Sequence, residues 1–365
     1  MSSENDVQIK YGFLDDYSEG CHPSILTALN DFNMVQQIAY GEDEYSSQAK
    51  ALIHQQLGGI NSTIRFVVGG TLANIIAIAS CLRPHEAVIA ASTGHIVVRE
   101  TGAIEATGHK IITIPSDDGK LAPDDVQAAL EANSHFPHMA KPRLVYISNA
   151  TELGTLYTKA ELNALSDFCK HKGLLLFLDG ARLGVALSAQ GSDLSLADIA
   201  SATDLFWIGG TKAGALLGEA IVINNPSLAE DISFHIKQRG ALLAKGRLLG
   251  LQFLELFKED LFYKASRHAN EMATKLSVAI GGSNFKLAAK TESNQVFPIL
   301  PNHLIEKLNQ NFEFYVWEKV DAHTSVIRLV TSWATDEKQV DRFIQQLKSD
   351  GAVKSTTAPH SVSSA

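Results

Sequence analysis

Between about Ile64 and Ile223, short apolar runs alternate with longer stretches of helical period. The runs are Ile64–Val68, Ala87–Ala90, Lys110–Ile114, Arg143–Ser148, Leu174–Leu178, Asp204–Ile208 and Glu219–Ile223. Several are apolar at almost every position, which is how strands covered on both faces read. The intervening stretches predict helices over Thr71–Leu82, Ile96–Ala106, Pro123–Asn133 and Lys159–His171. The last is the best marked. Thr158 and Glu161 have the spacing of a capping box, and Gly173 follows the helix end. Alternating strands and helices predict an α/β fold built on a mainly parallel, doubly wound sheet. Ligands in such sheets bind outside the carboxyl ends of the strands. Gly70, Asp179 and Lys212 all fall just after predicted strands, so they can converge on one crevice.

Helical periodicity dominates from about Ile232 to Ser277. The pattern then becomes strand, strand, helix, strand, strand, helix over Phe285–Ala289, Gln295–Leu300, His303–Asn309, Phe312–Val316, Val326–Thr331 and Glu337–Lys348. This predicts a smaller α+β unit. The expected organisation is an N-terminal arm over residues 1–50, a large domain over 51–255, a small C-terminal domain over 256–350 and a flexible tail over 351–365. Both chain ends are polar, as mobile termini are.

Composition narrows the class. The chain has 365 residues, 45% hydrophobic and 19% charged, with a net charge of −9. That charge leans against nucleic acid or an anionic membrane as partner. No run approaches the roughly 20 apolar residues of a membrane helix, and Met1–Lys10 has no apolar signal core. Cys21, Cys81 and Cys169 are far apart and form no metal or redox motif, as expected of reduced thiols in the cytoplasm.

The candidate chemistry lies at the strand ends. Asp179-Gly180-Ala181-Arg182 closes the run Leu174–Leu178, and Lys212 follows in Gly209-Gly210-Thr211-Lys212-Ala213-Gly214. No other charge occurs from Phe206 to Gly218, so Lys212 is expected to be desolvated, with its pKa lowered toward reactivity. An acid on a buried strand and a reactive lysine suit pyridoxal 5'-phosphate. The lysine would form a Schiff base with the cofactor aldehyde, and the aspartate would keep the pyridine nitrogen protonated. Gly69-Gly70-Thr71 passes from strand to helix, where free N–H groups suit a phosphate. There is no G-x-G-x-x-G and no Walker lysine, so nucleotide binding lacks its fingerprint. His95 follows the second strand, where an imidazole could stack on a cofactor and exchange protons.

These motifs, together with Tyr40-Gly41-Glu42-Asp43, Glu100-Thr101-Gly102, Ser148-Asn149 and Ile327-Arg328-Leu329-Val330-Thr331, stand in an order that resembles the L-threonine aldolases. These belong to the β-eliminating lyase group of aspartate-aminotransferase-fold, type I pyridoxal-phosphate enzymes. The resemblance runs from about Phe13 to Leu347. It implies cleavage of a β-hydroxy-α-amino acid to glycine and an aldehyde. It also implies that Lys212 is the Schiff-base lysine, Asp179 the pyridinium partner, Gly70 and Thr71 the phosphate site and His95 the stacked imidazole. Arg182 and Arg328 would take the substrate carboxylate. The family forms homodimers or homotetramers with shared sites, so Tyr40 and the helix containing Lys237 are expected to face a partner's cofactor. Candidate bases are His95, then His138, then Glu100 through water.

Some positions depart from the family pattern. Asp15-Asp16 stands where a Ser-Asp pair is common, placing Asp15 near the substrate carboxylate; Lys245 replaces an expected arginine; the loop after Asn149 is one residue longer; and Thr211 precedes Lys212 where serine is frequent. The electron sink is shared by β-elimination, transamination and racemisation, so Asp179 and Lys212 leave those reactions open. A nucleotide-binding or scaffold protein on the same layers is the alternative of another class.

Overall fold

A computed structural model describes residues 10–283 and 285–352. The remainder of the polar ends, residues 1–9 and 353–365, lies outside the described residues. A two-residue strand β1 (Tyr11–Gly12) is followed by helices α1 (Pro23–Asp31) and α2 (Glu44–Gln55). The main sheet then forms from β2 (Thr63–Val67), β3 (Glu86–Ala91), β4 (Lys110–Ile114), β5 (Lys141–Ser148), β6 (Leu175–Asp179), β7 (Leu205–Gly209) and β8 (Glu219–Ile223). Its order is β2-β8-β7-β6-β5-β3-β4. Only β8 runs against its neighbours. The sheet is mixed but mainly parallel, and it belongs to the α/β class that the apolar runs predict.

Alternate residues of each strand enter separate cores, which explains the near-continuous apolar runs. Val145, Ile147, Leu176, Leu178, Phe206 and Ile208 pack on one side. Leu144, Tyr146, Leu175, Phe177, Leu205 and Trp207 pack on the other. Asp179 continues the second set, so its carboxylate falls on the Tyr146–Trp207 face at the strand end.

The helix over Lys159–Lys172 has the expected capping box, with Gly173 left-handed at φ 66°. The helix expected over Ile96–Ala106 is a correction. Only His95–Val98 is helical; Thr101 and Gly102 then turn with φ of 54° and 74° before a short 3₁₀ turn over Glu105–Thr107. The reversal buries Glu100, which the solvent side of a continuous helix would expose. The long helical region is likewise divided, into Ile232–Gln238, Arg247–Phe257 and Leu261–Gly282.

The later strands are β9 (Lys286–Leu287), β10 (Gln295–Val296), β11 (Pro298–Pro301), β12 (Phe312–Glu313), β13 (Tyr315–Lys319) and β14 (Thr324–Val330). β14 is central to a five-stranded sheet, and β1 pairs in parallel with β12. The chain after β1 also joins this unit, since Phe13 N–H donates to Glu313 and Val330 N–H donates to Phe13. Asp16 is thereby carried to the mouth of the main sheet.

Candidate active site

The carboxyl ends of β2, β3, β5, β6 and β7 share one edge of the main sheet, as does the start of β8. Two adjoining cavities open there, of about 280 and 670 Å³, and both are lined by Tyr17, His95 and Lys212.

The smaller cavity holds Gly70, Thr71, Asn74, Asp179, Trp207 and Glu219. Helix α3 (Gly70–Cys81) begins at its wall with Gly69 as N-cap and no side-chain cap. The first-turn N–H groups, which have no partner within a helix, are therefore available to an anion. Gly70 is required by close approach, since a Cβ there would lie 2.9 Å from the Trp207 ring.

Asp179 is almost fully buried and its oxygens are fixed. Oδ1 accepts from Ala181 N–H at 2.9 Å. Oδ2 accepts from Asn74 Nδ2 at 2.9 Å and from the Tyr146 hydroxyl at 2.7 Å. Asn74 also donates to Glu100 Oε1 at 2.8 Å and accepts from Trp207 Nε1 at 3.1 Å. Burial and the Asp179 charge push the Tyr146 hydroxyl well above its ordinary pKa, so it remains a donor. Glu100 Oε1 lies 2.8 Å from His95 Nδ1, a bond that places the ring proton on Nδ1 when the carboxylate is ionised.

Lys212 sits on the 3₁₀ turn after β7. Burial and the nearby Arg182 charge hold its amine below the usual lysine range. Glu219 fixes this turn, accepting from Gly210 N–H at 2.9 Å and from the Thr211 hydroxyl at 2.8 Å. Burial pushes the Glu219 carboxyl up to about 7.

The larger cavity adds Arg182, Arg328, Glu152 and Trp317. Arg182 Nε and NH2 donate to the two oxygens of Asp16 at 2.7 and 3.0 Å. Against the desolvation of both groups, this pairing lowers the Asp16 pKa and raises that of Arg182. One edge of the Arg182 fork is therefore occupied. Arg328 is less engaged. It donates through NH2 to Leu14 O at 3.2 Å and lies over the Tyr315 and Trp317 rings, at 5.1 and 4.9 Å. Its buried Nε has no partner among the described residues.

Other expected site residues fall elsewhere in this chain. Asp15 accepts from Tyr17 N–H and the Ser18 hydroxyl and lines neither cavity; Asp16 is the acid that pairs with Arg182, a residue of the larger cavity's wall. His138 is exposed on the loop leading into β5, 4.9 Å from the His135 ring. Glu100 lies behind His95 and lines neither cavity. Tyr40 borders a separate cavity, with Lys237 Nζ 5.2 Å from its ring.

Residue-type reasoning did not single out Tyr146, Trp207, Glu219 or Glu152. Two of these carried a positional signal. Glu219 is the first charge after the apolar stretch around Lys212, and Glu152 follows a strand's carboxyl end.

The residues fit pyridoxal 5'-phosphate. An uncapped helix start, a buried carboxylate with fixed donors and a desolvated amine face one cavity. Comparisons with known proteins agree. A family model described as beta-eliminating lyase matches residues 19–301. The chain is 32% identical over 340 residues to a low specificity L-threonine aldolase of a Pseudomonas species, covering 92% of this chain and 96% of that one. A solved structure of Leishmania major threonine aldolase is 50% identical, covering 93% of this chain and 99% of that one with a TM-score of 0.92. A Thermus thermophilus aspartate aminotransferase, only 14% identical, covers 93% of this chain and 91% of that one, and shares the fold at a TM-score of 0.70. The chain belongs to the beta-eliminating lyase family.

Proposed function

We propose that this protein cleaves L-threonine, L-allo-threonine or a related β-hydroxy-α-amino acid to glycine and an aldehyde, with pyridoxal 5'-phosphate as cofactor. The observation that carries the reading is the convergence of Lys212, Asp179 and the start of α3 on one cavity, beside a second cavity rich in cations. When bound, the cofactor supplies an electron sink for the pair released when a bond at Cα breaks.

The chain's own residues supply placement. Lys212 is the amine for the cofactor aldehyde, and its lowered pKa keeps a larger share of it unprotonated near neutral pH. Asp179 supplies a fixed negative charge for the pyridine nitrogen. Gly70, Thr71 and the helix start take the phosphate. Arg328 offers donors to the substrate carboxylate, and Arg182, held by Asp16, offers its remaining NH1. Holding the carboxylate orients the bond to be broken. His95, tied through Nδ1 to Glu100, stands where both cavities meet.

The enzyme is also proposed to be a cytoplasmic homo-oligomer with shared sites. Met34, Ile38 and Phe234 are 88%, 71% and 73% exposed, apolar exposure that suits a contact with a second copy. The cysteines are free and buried, as a reducing compartment favours. No helix among the described residues is long and apolar enough to cross a membrane.

The test is to incubate the cofactor-loaded protein with L-threonine and L-allo-threonine. Glycine and acetaldehyde in equal amounts are expected. A keto acid formed only with an amino acceptor, or elimination without glycine, would replace this reading with another reaction of the same cofactor.

A further inference from the structure

The larger cavity contains one carboxylate among several cations. Glu152 shares its wall with Lys212, Arg182, Arg328 and His95, and among the described residues no other acidic side chain lines it. A carboxylate among groups suited to an anionic substrate does not help to hold that anion. Its chemistry is instead that of a proton acceptor.

Glu152 is also held in place. Its Oε1 accepts from the backbone N–H of His95 at 3.0 Å and from the Ser148 hydroxyl at 2.8 Å. The loop that carries it is closed by Thr151 N–H donating to Thr155 O and Gly154 N–H donating to Thr151 O, each at 3.0 Å. Asp118 O accepts from the Thr155 hydroxyl at 2.6 Å and pins the far side. The carboxylate is therefore presented from a fixed turn at the carboxyl end of β5, next to His95.

Two of the other groups considered for this role, Glu100 and His138, lack such a position. Glu100 is buried behind His95, with Oε1 occupied by His95 and Asn74. His138 is on an exposed loop at the opposite end of β5. Burial and the Asp179 charge raise the Glu152 pKa, which brings its basicity closer to that of a working acid–base group.

We propose that Glu152 is the catalytic base that takes the proton from the substrate β-hydroxyl. This assignment rests on the β-hydroxy amino-acid reading above. The O–H bond breaks and its proton passes to the carboxylate. The O–H electron pair becomes the second bond of the aldehyde carbonyl as Cα–Cβ breaks, and the Cα–Cβ pair would be taken up by the electron sink that the cofactor supplies when bound. A proton added at Cα then completes glycine, so one proton leaves the substrate and one returns.

The test compares reactions of the loaded enzyme that do and do not need this step. Glycine has no β-hydroxyl, and as the product of the proposed reaction it is expected to bind and exchange its α-proton at the same site. In Glu152→Gln, kcat for threonine cleavage should fall by about 10²–10⁴-fold. The visible absorbance of the lysine-bound cofactor, the Kd for glycine and deuterium exchange at glycine Cα should stay within about threefold of the parent, well under the effect of one general base. Glu152→Asp should recover part of the lost kcat. If Glu152→Gln cleaves threonine within tenfold of the parent, the assignment fails. If both variants lose cofactor absorbance or glycine exchange in parallel with cleavage, Glu152 is structural and the assignment also fails. A parent enzyme that releases no aldehyde would instead overturn the functional reading itself.

Discussion

The wall that carries Asp179 and the wall that carries Arg328 meet at Lys212, but their polar atoms are engaged differently. Around Asp179, the side-chain groups of Asn74, Tyr146 and Trp207 are joined in one hydrogen-bonded set. None of these residues has a buried side-chain atom without a partner, and in Glu100, which Asn74 joins to the set, only Oε2 lacks one among the described residues. Across the larger cavity, Thr93 Oγ1, Gln295 Oε1 and Arg328 Nε are buried without a hydrogen bond among the described residues. Buried polar groups normally have partners, and leaving one unmet costs about 1–3 kcal/mol. The first wall suits a resident cofactor whose position should not change with each turnover. The second has capacity left for a polar ligand that comes and goes.

The largest expected effect comes at the junction of the walls. Lys212→Ala should abolish both the visible absorbance of lysine-bound cofactor and aldehyde release. If both persist, the assignment of the reactive amine is wrong. On the closed wall, Asp179→Ala should reduce kcat by roughly 10²–10³-fold, the scale for removing one charge-stabilising group. It should also weaken cofactor binding, because the Asn74 and Tyr146 donors lose their common acceptor. Retained kcat would break the proposed division of labour.

A smaller, pH-dependent effect is expected at Glu219. Its folded-state pKa is raised by burial to about 7, so the protonated form is the favoured one. Stability from this group is full below its unfolded value and is lost as pH rises through about 7. Melting curves of cofactor-free parent and Glu219→Gln should therefore diverge by a few degrees between pH 5 and pH 8, the parent losing more. Parallel curves would place the titration elsewhere.

The same division governs what could be read from the sequence. The main strands lie within a few residues of the apolar runs, since their two-sided burial leaves a continuous signal. Gly70, Asp179 and Lys212 were legible because each follows such a run directly. The stretch after His95 was not. Its apolar spacing mimics a helix, while Thr101 and Gly102 reverse the chain so that Glu100 can reach His95 and Asn74. Asp16 could not be told from Asp15 by residue type, because its partner Arg182 lies 166 residues away and only the fold brings them together. Glu152 was masked in the same way, as its neighbours come from β5 and the start of the His95 helix.

The contrast between the walls is tested most directly by titrating Arg328→Lys with pyridoxal 5'-phosphate and, once loaded, with glycine. Lysine keeps the charge but loses the planar fork. The expected result is unchanged cofactor affinity and glycine binding weaker by roughly 10–100-fold, the equivalent of about 1.5–3 kcal/mol for a hydrogen bond to a charged group. Weakened cofactor binding with glycine affinity intact would contradict the assignment of one wall to the cofactor and the other to the substrate.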